Sequence, residues 1–114
     1  MILKFDEIPM VHLPEFKGGE KELAANMFFD GTNRIFRGCL VPGASIGFHT
    51  HEDSCETIFI LSGKGSILEI EDGCETLKEV KPGDCLFCAK GHSHSLRNTS
   101  EAEDLIFYAS VIQL

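Results

Sequence analysis

A chain of 114 residues and 12.6 kDa has room for one domain, expected to span 1–114, and can bury about two-thirds of its unfolded surface. Its 18 acidic against 10 basic residues give a net charge of −8, which opposes nucleic acid and anionic membrane surfaces as partners. The 43% apolar content argues against disorder, and no apolar run reaches the length of a membrane-spanning helix.

The N-terminus turns acidic at Asp6-Glu7 and has no secretory h-region, so a cytoplasmic location is expected. Gly19–Met27 is the best helix candidate; it lacks a strong cap and equally suits a strand. Everything after it reads as short apolar runs cut by Gly, Pro, Asp and Asn. Asn26–Phe29 and Arg34–Val41 flank the turn dipeptide Asp30-Gly31. Ile46–His51 and Glu56–Leu61 follow, separated by an acidic loop. Ser66–Glu71 and Cys74–Val80 flank Asp72-Gly73, the clearest hairpin. Lys81-Pro82-Gly83-Asp84 is a tight turn before Asp84–Cys88, and Ser93–Asn98 and Leu105–Ile112 complete the chain. About eight or nine strands at this spacing predict an all-β sandwich or small barrel. The run Leu105–Ala109 is apolar on both faces, so both should be covered, which in a small domain suggests a second subunit.

Five cysteines, an odd and scattered set, read as free and mostly buried thiols of a reducing compartment. Cys85 and Cys88 form a C-x-x-C, but positions i and i+3 of a strand face opposite sides, so they are expected to stay unpaired.

Four of the five histidines fall in two clusters, His49-Thr50-His51 and His92-Ser93-His94. Residues i and i+2 of a strand share a face, so His49 and His51 project together, as two imidazoles gripping one ion would. Glu56 opens the next strand, which returns its carboxylate toward that face. A third imidazole, from His94 or His92, would complete the set. Three buried, hydrogen-bonded histidines are the bland alternative, and the converging Glu56 argues against it. His92 suits the site's mouth better than a ligand position. The same parity places Ile58, Ile60, Leu96 and Asn98 on the inner face, as candidate walls of an apolar pocket. His12 reads as a surface residue.

Gly43, His49, His51, Glu56 and Gly63 spell G-x5-H-x-H-x4-E-x6-G, and Gly83, Ala89, Gly91, His94 and Asn98 spell G-x5-A-x-G-x2-H-x3-N. These runs, over residues 43–98, resemble the two motifs of the cupin superfamily at nine of ten positions; the departure is Ala89, where the family has proline. The resemblance implies a double-stranded β-helix (jelly-roll) barrel. It implies that His49, His51, Glu56 and His94 ligate one divalent transition metal (Mn, Fe, Ni, Co, Cu or Zn), with positions left open. One glutamate against a divalent ion leaves about +1 at the centre, which suits a small anionic, oxygen-rich ligand. Cupins similar to this chain include dioxygenases, decarboxylases and isomerases, and a complete Glu56 speaks against the thiol-dioxygenase type. A non-catalytic small-molecule binding or sensing module is the alternative, and a storage role is weaker because the ligand set is complete. The segment 1–25 is expected to add an edge strand and to serve a homodimer, as in many small cupins.

Overall fold

A computed structural model describes all 114 residues. Ten strands form two antiparallel sheets: β1 Met10–Pro14, β2 Glu22–Phe29, β3 Asn33–Leu40, β4 Ser45–Thr50, β5 Ser54–Ser62, β6 Gly65–Glu71, β7 Cys74–Val80, β8 Cys85–Cys88, β9 Ser93–Asn98 and β10 Leu105–Gln113. One sheet runs β1-β2-β3-β10-β5-β8 and the other β4-β9-β6-β7. They close face to face as a jelly roll.

The reasons for these elements are local. Asp72 (φ 51°) and Gly73 (φ 80°) both take the positive φ that a tight two-residue hairpin of matching twist requires, and they join β6 to β7. Asp30 Oδ1 accepts hydrogen bonds from the amides of Thr32 and Asn33, fixing the turn between β2 and β3. The core takes alternate residues of each strand: Leu23 and Ala25 from β2, Phe36 and Leu40 from β3, Ile58 and Ile60 from β5, and Leu105, Phe107 and Ala109 from β10. Ile46, Ile67, Val80 and Leu96 face them from the second sheet.

The candidate helix Gly19–Met27 is strand from Glu22 on. Leu23 and Ala25 alternate with less buried neighbours at period two, and β2 pairs with β1 on one side and β3 on the other. The tenth strand, β1, lies in the segment 1–25 from which an added edge strand is expected. It lies at the sheet edge, is largely exposed and ends at Pro14, so it carries no burial alternation to read.

The expectation of mostly buried thiols is corrected. Only Cys88 is buried; Cys39 and Cys55 are half-buried, and Cys74 and Cys85 are exposed. Cys39, Cys55 and Cys85 take outward positions, because their neighbours Leu40, Glu56 and Leu86 point inward. Within the chain, the core covers the inner face of the run Leu105–Ala109. Leu105, Phe107 and Ala109 are buried, while Ile106 and Tyr108 lie on the outer face. The N-terminal segment reaches that outer face: Phe5 stacks on Tyr108 at 5.3 Å and Asp6 pairs with Arg37 at 2.7 Å.

Candidate metal centre

The start of β5 and facing positions of β4 and β9 meet at one end of the barrel. His49 of β4 pairs directly with His94 of β9, so both rings point inward at one level. His51 follows β4, and its backbone is clamped by the loop between β8 and β9: its amide donates to the His92 carbonyl (3.0 Å) and its carbonyl accepts from the Gly91 amide (2.7 Å). Glu56, near the start of β5, completes the group. All four ligating atoms lie within 4.8 Å of one another, and His51, Glu56 and His94 are buried.

The separations are informative. His51 Nε2 lies 3.2 Å from His49 Nε2 and 3.0 Å from His94 Nε2. Glu56 Oε1 lies 2.8 Å from His94 Nε2 and 3.2 Å from His51 Nε2. Metal–nitrogen and metal–oxygen bonds of about 2.0–2.2 Å bring donors to such separations around a single ion.

Protonation fits as well. His49 Nδ1 lies 2.7 Å from the Gly47 carbonyl, which can only accept, so the proton is on Nδ1 and Nε2 presents a lone pair. His51 Nδ1 is held by Ser54 Oγ at 2.7 Å, so its Nε2 too is aimed by a partner behind the ring. Burial pushes the His49 pKa down, as do His94 and His51 beside it, against the Gly47 bond and Glu56. Burial alone would push the Glu56 carboxyl up, but hydrogen bonds from His51 and His94 outweigh it and hold it at about 2. At neutral pH the set therefore offers a neutral His49 and an ionised carboxylate, the states a metal requires.

Beside the group lies a cavity of about 280 Å³. Phe16, Lys17, Met27, Arg34, Val111 and Gln113 wall it opposite the ligating atoms. Phe16 and Lys17 arrive on the turn Phe16–Gly18, which is seated flat on β4: a Cβ at Gly47 would strike the Lys17 carbonyl, so only glycine admits the contact. A larger depression, about 610 Å³ around Lys64, Glu79 and Asp84, shares none of these residues and has no converging donors.

All four residues expected as ligands are thus brought together. The expected pocket walls are not in the cavity. Ile58, Ile60 and Leu96 point inward as parity requires, but they sit deeper in the barrel, essentially inaccessible, and form the core. Asn98 is buried at the far end of β9. It donates to the Leu40 and Glu103 carbonyls and accepts from the Ser100 amide, all at 2.8 Å, which is structural work. The His92 side chain turns away toward Asp72, 3.5 Å off, and only its carbonyl supports the site. His12 lies on the surface, 2.6 Å from Glu22. Burial, then the nearby Glu56 charge, pushes the Cys88 thiol up to about 11, so it stays protonated and offers no thiolate.

The walls that sequence reasoning missed, Phe16, Lys17, Met27, Arg34 and Gln113, come from elements distant in sequence. Inward parity counted back from Phe36 would have turned Arg34 inside, but β3 had no anchor to mark which face was inner.

Comparison with known proteins agrees with this geometry. The family model described as Cupin domain matches residues 36–111. In sequence the chain is similar to an oxalate-binding protein of Thermotoga maritima, 33% identical over 120 aligned positions that take in all of this chain and 95% of that one. In structure it is similar to a predicted oxalate decarboxylase from Thermotoga maritima, with TM-score 0.86 and 32% identity over the whole of both chains. A structure of oxalate oxidase, at TM-score 0.64 and 15% identity over 72% of this chain and 42% of that one, shares the fold.

Proposed function

Since this chain belongs to the cupin domain family, we propose that His49, His51, Glu56 and His94 hold one divalent transition metal and that the site acts on a small dianion of the oxalate class. The observation that carries this is the convergence of three imidazole nitrogens and one carboxylate beside a small cavity. The relatives named for oxalate, similar over their full length, support the ligand class. When bound, the ion would supply Lewis acidity and a template for a bidentate oxygen ligand. The chain's own residues orient the imidazoles through Gly47 and Ser54, keep the carboxylate ionised, and line the cavity with Phe16 and Met27.

Two chemistries fit this frame. Beyond the ligating group, the only ionisable side chains in the cavity are Lys17 and Arg34. Lys17 is the side chain there able to move a proton, and turnover and binding alone are told apart by products. Catalysis, in turn, would be decarboxylation (oxalate and a proton to formate and carbon dioxide) or oxidation (oxalate, dioxygen and two protons to two carbon dioxide and hydrogen peroxide). Incubating metal-loaded protein with oxalate, in air and without oxygen, separates these. Formate in both conditions means decarboxylation, and peroxide in air alone means oxidation. Saturable binding with neither product means a binding module. No oxalate binding by protein that carries the metal overturns the ligand class.

We further infer a homodimer built on the outer face of the six-stranded sheet. Phe59, Phe87, Tyr108 and Ile112, on the neighbouring strands β5, β8 and β10, are exposed large apolar side chains on one flat surface. A second copy would cover them in an isologous contact, two β10 strands facing across the axis. Light scattering on the eluting peak should give about twice 12.6 kDa, and the F59D/F87D double variant should elute as a monomer. A monomeric wild type contradicts the inference. The five free thiols support a reducing, cytoplasmic setting.

A further inference from the structure

The inner face of the six-stranded sheet carries one row of directly paired residues: Phe29, Arg34, Val111, Glu56 and Cys88. Arg34 therefore stands two strands from Glu56 at the same level, about 10 Å away along the hydrogen-bonding direction, with only Val111 between. Arg34 is one of the residues lining the cavity beside His49, His51 and Glu56. It has no carboxylate partner. Its contacts are soft ones, the Met27 sulfur at 3.0 Å and the Phe29 ring at 4.2 Å, which fix the plane of the guanidinium and leave most of its N–H fork unused.

The balance of charge in the cavity sharpens this. Glu56 is its only acid, and its negative charge faces the ligating imidazoles. With a divalent ion in place, Arg34 and Lys17 raise the local charge to about +3, on a chain whose net charge is −8. A monoanion would satisfy the ligating group and leave the half-buried Arg34 near it without a counter-charge. A short dicarboxylate satisfies both ends, because a guanidinium fork matches a carboxylate in a bidentate manner.

We propose that Arg34 anchors the outer carboxylate of a short dicarboxylate whose inner carboxylate sits at the His49–His51–Glu56–His94 group, and that it is the residue selecting dianions over monoanions. This rests on the ligand class proposed above. Lys17 is the weaker anchor: it projects from a turn, and a lysine offers a point charge rather than a planar fork.

The test is calorimetric titration of manganese-loaded protein with oxalate and, separately, with acetate, alongside the measured metal content of each variant. R34Q is expected to keep its metal and lose oxalate affinity 10- to 100-fold, with acetate affinity changed less than threefold. R34K should recover only part of the oxalate affinity. K17Q should lose less than R34Q. Metal-loaded R34Q that binds oxalate as the wild type does overturns the role of Arg34 and leaves the metal site standing, as does a loss confined to K17Q. Equal losses for oxalate and acetate in R34Q overturn the selectivity. A wild type that takes up no metal overturns the site itself and this inference with it.

Discussion

Replacing Asn98 with alanine is expected to cost about 3–5 kcal/mol of folding stability while leaving the metal site of the folded protein intact. Asn98 is 1% exposed, and its amide ties together the end of β3 at Leu40, the β9–β10 loop at Ser100, and Glu103 just before β10. Alanine strands two carbonyls and one amide in a place water does not reach, each worth about 1–3 kcal/mol and not fully additive. A domain of this kind has about 5–15 kcal/mol in total, so the loss is severe. Asn98→Asp should be no milder, because it keeps the acceptor but turns a carboxylate on two carbonyls. Urea unfolding measures the loss as a drop in midpoint at constant slope. Metal content of the folded fraction separates this role from that of a pocket wall. A stable Asn98→Ala protein with impaired anion binding would restore the pocket reading that the structure removes.

Replacing His94 with alanine is expected to have the opposite profile: a folded chain that has lost its metal. His94 supplies one of three converging nitrogens and a 2.8 Å contact to Glu56. Disturbing a residue that merely orients a ligand costs about 10- to 100-fold in affinity, so losing a ligand should cost at least about 100-fold. Metal-to-protein ratio by plasma mass spectrometry should fall from near one to near zero. Chelation should lower the melting temperature of the wild type and leave that of His94→Ala unchanged, since only a ligand bound to the native state stabilises it. Glu56 loses a hydrogen-bonding partner, so the variant should also be less stable than metal-free wild type by about 1–3 kcal/mol. One retained equivalent of metal in His94→Ala would mean that the ion sits elsewhere.

The convergence of His49, His51, Glu56 and His94 was legible in the sequence because its geometry is local. His49 and His51 share a face by strand alternation, and Glu56 returns on the next strand after a short loop. His94 is fixed by a second motif whose spacing places it opposite His49. The hairpins were legible for a similar reason, since Asp72-Gly73 encodes its own backbone conformation. The walls of the cavity were not. Alternation tells which face a residue takes but not how deep in the barrel it lies, so Ile58, Ile60 and Leu96 were assigned to the pocket and belong to the core. Arg34 comes beside Glu56 only through the pairing of β3, β10 and β5, which no short stretch of sequence states. The edge strand Met10–Pro14 is held by its partner β2 and not by burial, so it leaves no hydrophobic period.

Loading the protein with cobalt(II) and titrating oxalate while recording the visible spectrum asks whether this group holds a metal with positions open to a small dianion. Weak bands of a high-coordinate ion that shift with oxalate and saturate at one oxalate per cobalt are the expected result. Intense tetrahedral bands that oxalate does not move, or no cobalt bound at all, would contradict it.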